Sequence, residues 1–123
     1  MGEKIRYELE YTFKTSPKVL YSRLATASGL AEWFADDVNV RDNIMTFTWD
    51  GSDQQAEIIE RKDNTCAKYR WLEDDEDTYF EFQLHKDELT GDLALIITDF
   101  ADDEEEKEDD IERYIYMRSL FDR

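Results

Sequence analysis

The sequence predicts one small α+β domain in which an antiparallel meander of strands and a C-terminal helix enclose an aromatic-rich interior. Three observations carry this. Apolar and polar residues alternate in several segments between residues 5 and 100, and the spacing switches to threes and fours near the C-terminus. Aromatic residues make up 14% of the 123-residue chain, enough to build a core despite the high charge.

At the N-terminus Ile5, Tyr7, Leu9, Tyr11 and Phe13 alternate with Arg6, Glu8, Glu10 and Thr12, which predicts a strand with one buried face. Ser16-Pro17 then reads as an N-cap followed by proline at the first helical position, where the missing N–H breaks no intrahelical bond. The helix carries Leu20 and Leu24 on one stripe with Val19 alongside. It is expected to break near Ala27-Ser28-Gly29, before a short apolar turn from Leu30 to Phe34.

Strands follow at Val38 to Arg41 and Ile44 to Trp49, with Asp42-Asn43 and Asp50-Gly51 as turn signals. Gln55 to Arg61 and Thr65 to Leu72 form the next pair about an Asp63-Asn64 turn, the second with Ala67, Tyr69 and Trp71 on one face. Phe80, Phe82 and Leu84 mark another strand, and Leu89-Thr90-Gly91-Asp92 turns the chain again. Leu93 to Phe100 is almost continuously apolar, which suggests a central strand covered on both faces and leaves its inward side unassigned. From about Asp102 the pattern is helical, with Ile111, Tyr114, Ile115, Arg118 and Phe121 in phase and Met117 and Leu120 beside them. A helix of roughly 18 residues would be about 27 Å long. With no repeat and no linker, residues 1–123 read as a single domain of six to seven strands.

Charge narrows the partners. Thirty-two acidic against fifteen basic side chains give a net charge of −17, so neither nucleic acid nor an anionic membrane is expected to bind. Cys66 is the single cysteine, which rules out an intramolecular disulfide and fits a reducing compartment. The N-terminus lacks a signal-peptide core, and no apolar run approaches the roughly 20 residues of a membrane span. The expected location is the cytoplasm.

No motif predicts a metal, a cofactor or a catalytic centre. The acidic runs Glu73 to Asp77 and Asp102 to Glu106 lack the ligand spacing of a calcium loop; they read as a solvated hairpin loop and as carboxylates favoured at a helix N-terminus. His85, the only histidine, shares a face with Glu81 and Gln83, so it is expected to point to solvent. Cys66 is out of phase with Ala67, Tyr69 and Trp71 and is read as structural. An enzyme would have to rely on carboxylates such as Glu32, Asp36 or Asp99.

The aromatic residues remain. The order strand, two short helices, meander, C-terminal helix resembles the START-like helix-grip superfamily (SRPBCC), and within it the bacterial branch related to activators of the heat-shock chaperone ATPase. The residues that carry the resemblance are Ser16-Pro17-Lys18-Val19, Leu24 and Gly29-Leu30-Ala31-Glu32-Trp33-Phe34. Trp49-Asp50-Gly51, Tyr69-Arg70-Trp71 and the amphipathic helix from about Glu105 add to it, while Lys62-Asp63-Asn64 stands where family members often have a proline-bearing turn.

The resemblance implies a helix-grip fold, a curved sheet wrapped around the long helix, with a space between them that takes lipids, polyketides or other hydrophobic molecules. The expected lining is Trp33, Phe34, Trp49, Tyr69, Trp71 and Phe80, with Phe82, Tyr114, Met117, Arg118 and Phe121 from the far side, and Tyr114 or Arg118 as the polar contact. The expected partner is a small hydrophobic molecule. The alternatives are a protein partner, as for a chaperone accessory, and a cyclase- or hydrolase-type enzyme.

Overall fold

The period-two N-terminal segment forms strand β1 (Ile5–Phe13), and its inward residues Tyr7 and Phe13 are buried. The structure, a computed structural model, describes residues 4–74 and 77–121; Asp75 and Glu76 of the first acidic run lie outside the described residues.

Helix α1 (Pro17–Ala25) starts as its sequence predicts, with the Ser16 hydroxyl accepting from the Val19 amide at 3.2 Å. It buries Leu20, Tyr21, Leu24 and Ala25 and leaves Val19 exposed. The break falls at Thr26, one residue before the predicted Ala27-Ser28-Gly29, because Thr26 caps a second helix, α2 (Ala27–Leu30), accepting from the Gly29 amide at 3.0 Å. Gly29 is instead a packing requirement. A Cβ there would stand 1.9 Å from the Ser22 carbonyl oxygen and 2.7 Å from the Arg23 Cα, far inside van der Waals contact.

Six further strands, β2 (Asp37–Arg41), β3 (Ile44–Trp49), β4 (Ser52–Lys62), β5 (Cys66–Trp71), β6 (Phe80–Lys86) and β7 (Leu93–Ala101), complete one antiparallel sheet in the order β1-β7-β6-β5-β4-β3-β2. The predicted turn residues supply the left-handed backbone the hairpins need: Asp42, Asp50, Gly51 and Asn64 all have positive φ. Strand β4 starts earlier than its apolar pattern because Ser52, Asp53 and Gln54 pair with Trp49, Thr48 and Phe47 of β3, and its pairing with β5 shifts between Ile58 and Glu60, a bulge that periodicity does not show.

Strand β7 lies beside β1, one place from the edge of the sheet. Its odd-numbered residues Leu93, Leu95, Ile97, Asp99 and Ala101 are buried, while Ile96 and Phe100 on the other face are half-buried, Phe100 edge-on to Tyr79 with ring centres 5.3 Å apart.

Helix α3 (Glu104–Ser119) follows directly from β7 and lies across the inward face, burying Tyr114 and Met117. Of the residues predicted in phase or alongside, Tyr114 and Met117 are buried and Ile111, Arg118, Leu120 and Phe121 half-buried, while Ile115 is 52% exposed; the inward line runs through Asp110, Tyr114, Met117 and Phe121. Aromatic hydroxyl and indole groups tie the helix pair to the sheet and to itself. Tyr69 donates to the Leu24 carbonyl at 2.8 Å, Tyr21 to the Cys66 carbonyl at 2.9 Å, and Trp33 Nε1 to the Arg23 carbonyl at 2.7 Å, each worth about 1 kcal/mol. No described helix is long and apolar enough to cross a membrane.

Candidate functional site

Six strand ends meet at one end of the sheet. The register pairs Trp49 with Ser52, Ala56 with Trp71, Tyr69 with Phe80 and Ile5 with Ala101. The end of β3, the start of β4, the end of β5, the start of β6, the end of β7 and the start of β1 therefore share one rim. Helix α3 begins at this rim, and its first turns stand over it while its last turns run toward Phe13, whose ring packs edge-on against Phe121 at 5.1 Å. The grip is filled at the Phe13 end.

At the rim it is not filled. A cleft of about 400 Å³ opens there. Its walls include five rings, those of Phe34, Trp49, Trp71, Phe80 and Phe100, the first four packed together at centroid distances from 5.0 to 6.3 Å. Trp49 is fixed by its Nε1 donating to the Phe34 carbonyl at 2.9 Å. Around the rings stand Lys4, Gln54, Asp74, Asp99 and Asp102, with Glu106, Asp110 and Arg113 from α3. The α3 residues are four and three apart, one stripe of the helix.

The sequence-predicted lining thus divides. Phe34, Trp49, Trp71 and Phe80 reach the cleft. Trp33, Tyr69, Phe82, Tyr114 and Met117 are packed in the core, with Trp33 5.8 Å from Tyr114 and 6.0 Å from Phe82. Arg118 lies over Phe13 at 5.0 Å, beside Phe121, so both belong to the filled end. The arginine at the cleft is Arg113, which the apolar periodicity of α3 did not single out. Its guanidinium stacks 4.3 Å above the Phe34 ring and donates to Asp110 Oδ1 at 2.9 Å. Its Nε is buried and, among the described residues, has no hydrogen-bond partner.

One of the three carboxylates considered for chemistry is inward. Glu32 is exposed and pairs with Arg23, and Asp36 is exposed and accepts from the Asp50 amide. Asp99 is 7% exposed. Its Oδ2 accepts from Tyr114 at 2.6 Å and lies 3.3 Å from the Tyr7 hydroxyl, and its Oδ1 accepts from the Phe100 amide at 2.7 Å. Burial pushes its carboxyl up to about 6, against the opposing effect of these donors. The Tyr7 hydroxyl is also 3.3 Å from Asp110 Oδ2. A phenol has one proton to give, so Tyr7 can donate to only one of the two carboxylates unless one of them is itself protonated.

Lys4 closes the far side, 3.5 Å from Asp74 and 2.6 Å from Asp102. His85 is exposed on the opposite face of the sheet, away from the cleft. Burial, with Glu60 nearby, raises the Cys66 thiol and keeps it protonated. No group of metal-ligating side chains occurs among the described residues.

A family model described as a START-like superfamily domain matches residues 1–120. A Bacteroides fragilis protein solved by solution NMR is 37% identical, with a TM-score of 0.69 over 90% of this chain and 83% of its own. The Aha1 dimer from Colwellia psychrerythraea superposes with a TM-score of 0.76 at 17% identity, covering 96% of this chain and 94% of that one. A Mesorhizobium loti crystal structure gives 0.72 at 16% identity, covering 97% and 98%. Among curated proteins, none matches this sequence.

Proposed function

The chain belongs to the START-like superfamily, and from that premise we propose that it is a small-molecule-binding protein whose site is the aromatic-walled cleft beneath the first turns of α3. The observation that carries this is Arg113. A buried N–H without an acceptor costs about 1–3 kcal/mol, and the side chain that carries this one lines a cleft with five rings in its walls. A ligand with a flat or branched apolar body and one oxygen acceptor would cover the rings and satisfy that donor. In place of the apolar cavity with one polar contact expected from the sequence, the proposal is an amphipathic site: rings for the body of the ligand and polar groups for its head.

A second reading has one observation in its favour. Asp99 is a buried carboxyl shifted into the range where acid–base chemistry near neutral pH is efficient, and it lines the same cleft. In that reading Asp99 exchanges a proton with the bound molecule and Tyr7 and Tyr114 hold its orientation.

Native mass spectrometry of protein purified from its own cells, before and after denaturation, tests the binding proposal. A reproducible small molecule lost on denaturation is the expected result. A native mass equal to the bare chain, together with no saturable binding of any ring-bearing probe, would remove the proposal and turn attention to a protein partner.

A further inference from the structure

Building on the reading of the cleft as a ligand site, we infer that its ligand is an organic cation: a ring-bearing or branched amine or quaternary ammonium, carrying an oxygen acceptor for Arg113.

Five carboxylates, those of Asp74, Asp99, Asp102, Glu106 and Asp110, line the cleft against two cationic side chains. Both cations are already engaged, Lys4 with Asp74 and Asp102, and Arg113 with Asp110. Glu106 accepts only a 3.2 Å bond from the Asp102 amide. Burial raises its carboxyl, and the charges of the neighbouring Asp102 and Asp110 add to the rise against the Asp102 amide and Lys4.

The negative field of the whole chain, with its charge of −17, is focused where low-dielectric ring walls meet a concave surface. An anionic ligand, whether a carboxylate or a phosphate ester, would meet repulsion from every side of the rim except Lys4 and Arg113.

The rings supply the second, independent half of the argument. An aromatic face attracts a cation placed over it within about 6 Å. This cluster already holds one such contact in the chain's own Arg113, 4.3 Å above Phe34. Trp49 and Trp71, of the ring type that binds cations best, are half-buried and line the cleft. Carboxylates beside half-buried indole rings recognise a positive charge twice, through the field at a distance and through the ring in contact. Arg113, which lines the cleft and whose Nε–H has no partner among the described residues, then holds the other end of the molecule.

Isothermal calorimetry with three probes that share a phenol and differ only in tail charge tests this: tyramine (cationic), 4-ethylphenol (neutral) and 3-(4-hydroxyphenyl)propanoate (anionic). The expected order is tyramine about tenfold tighter than 4-ethylphenol, with the propanoate weakest. The tyramine advantage should shrink as salt rises from about 0.05 to about 0.5 M, and fall at least threefold in the rim variant Asp102→Asn/Glu106→Gln, whose changes lie at an exposed and a half-buried position. Equal or tighter binding of 4-ethylphenol or the propanoate, at saturable stoichiometry, overturns the inference about charge and leaves the cleft as a binding site. If none of the three saturates, both readings fall together.

Discussion

The hydroxyl of Tyr114 donates to Asp99 Oδ2 across 2.6 Å in the interior of the grip, joining the inward stripe of α3 to the inward face of β7. It is the shortest of the bonds that keep a carboxyl in a site where both of its neighbouring hydroxyls are themselves buried. Replacing it, Tyr114→Phe, keeps the ring and removes the donor. Chemical denaturation should show a loss of about 1–3 kcal/mol near pH 7.5, where Asp99 is ionised, and a smaller loss near pH 5, where it is largely protonated.

The same carboxyl makes stability depend on pH. Its folded-state value, about 6, lies above its ordinary 3.8, so the folded chain binds this proton more tightly than the unfolded chain. The stabilising contribution of the proton is full below about pH 3.8 and is lost as pH rises through about 6. Asp110 and Glu106, also raised mainly by burial, act in the same direction. Relative to Asp99→Asn, the natural chain should lose on the order of 1 kcal/mol between about pH 5 and about pH 7.5. Parallel urea titrations of the two proteins measure it, and parallel pH profiles would contradict it.

Arg113→Lys keeps a positive charge opposite Asp110 but removes the Nε–H and the planar stack on Phe34. Thermal stability should change by less than about 1 kcal/mol, because the position is partly exposed. Affinity for an acceptor-bearing ring probe should fall about tenfold or more, as calorimetry would show.

Gly29→Ala should destabilise the protein by about 1–3 kcal/mol or more, since the new methyl group meets the Ser22 and Arg23 backbone rather than a movable side chain. Its far-ultraviolet spectrum should stay near that of the natural chain while its melting temperature drops by several degrees. An unchanged melting temperature would mean that the two helices separate freely.

Much of this architecture is legible in the chain. Alternation gives away β1, β3, β5 and β6, and Ser16-Pro17, Asp50-Gly51 and Asp63-Asn64 mark the turns and the helix start, because each of these signals depends on neighbouring residues alone. The site is less legible. Trp49, Trp71, Phe34 and Phe80 stand out by composition, yet so do Trp33 and Phe82, and only the register shows which rings end at the rim. Arg113, Asp110 and Glu106 look like the solvated side of a charged helix. Their place at the cleft follows from the packing of α3 on β7, which buries Tyr114 and Met117 as periodicity predicts but exposes Ile115 and turns the charged first turns toward the rim.

The central claim, that the cleft beneath α3 takes a small molecule, is tested most directly by the three indole N–H signals in proton–nitrogen NMR spectra. Trp49 and Trp71 line the cleft, while Trp33, with its Nε1 bonded to the Arg23 carbonyl, lies in the core as an internal control. On titration with tyramine, the Trp49 and Trp71 signals should move saturably together while Trp33 stays in place, and Arg113→Lys should raise the midpoint of the movement about tenfold or more. Three signals that do not move, or that all drift linearly without saturation, would contradict the claim.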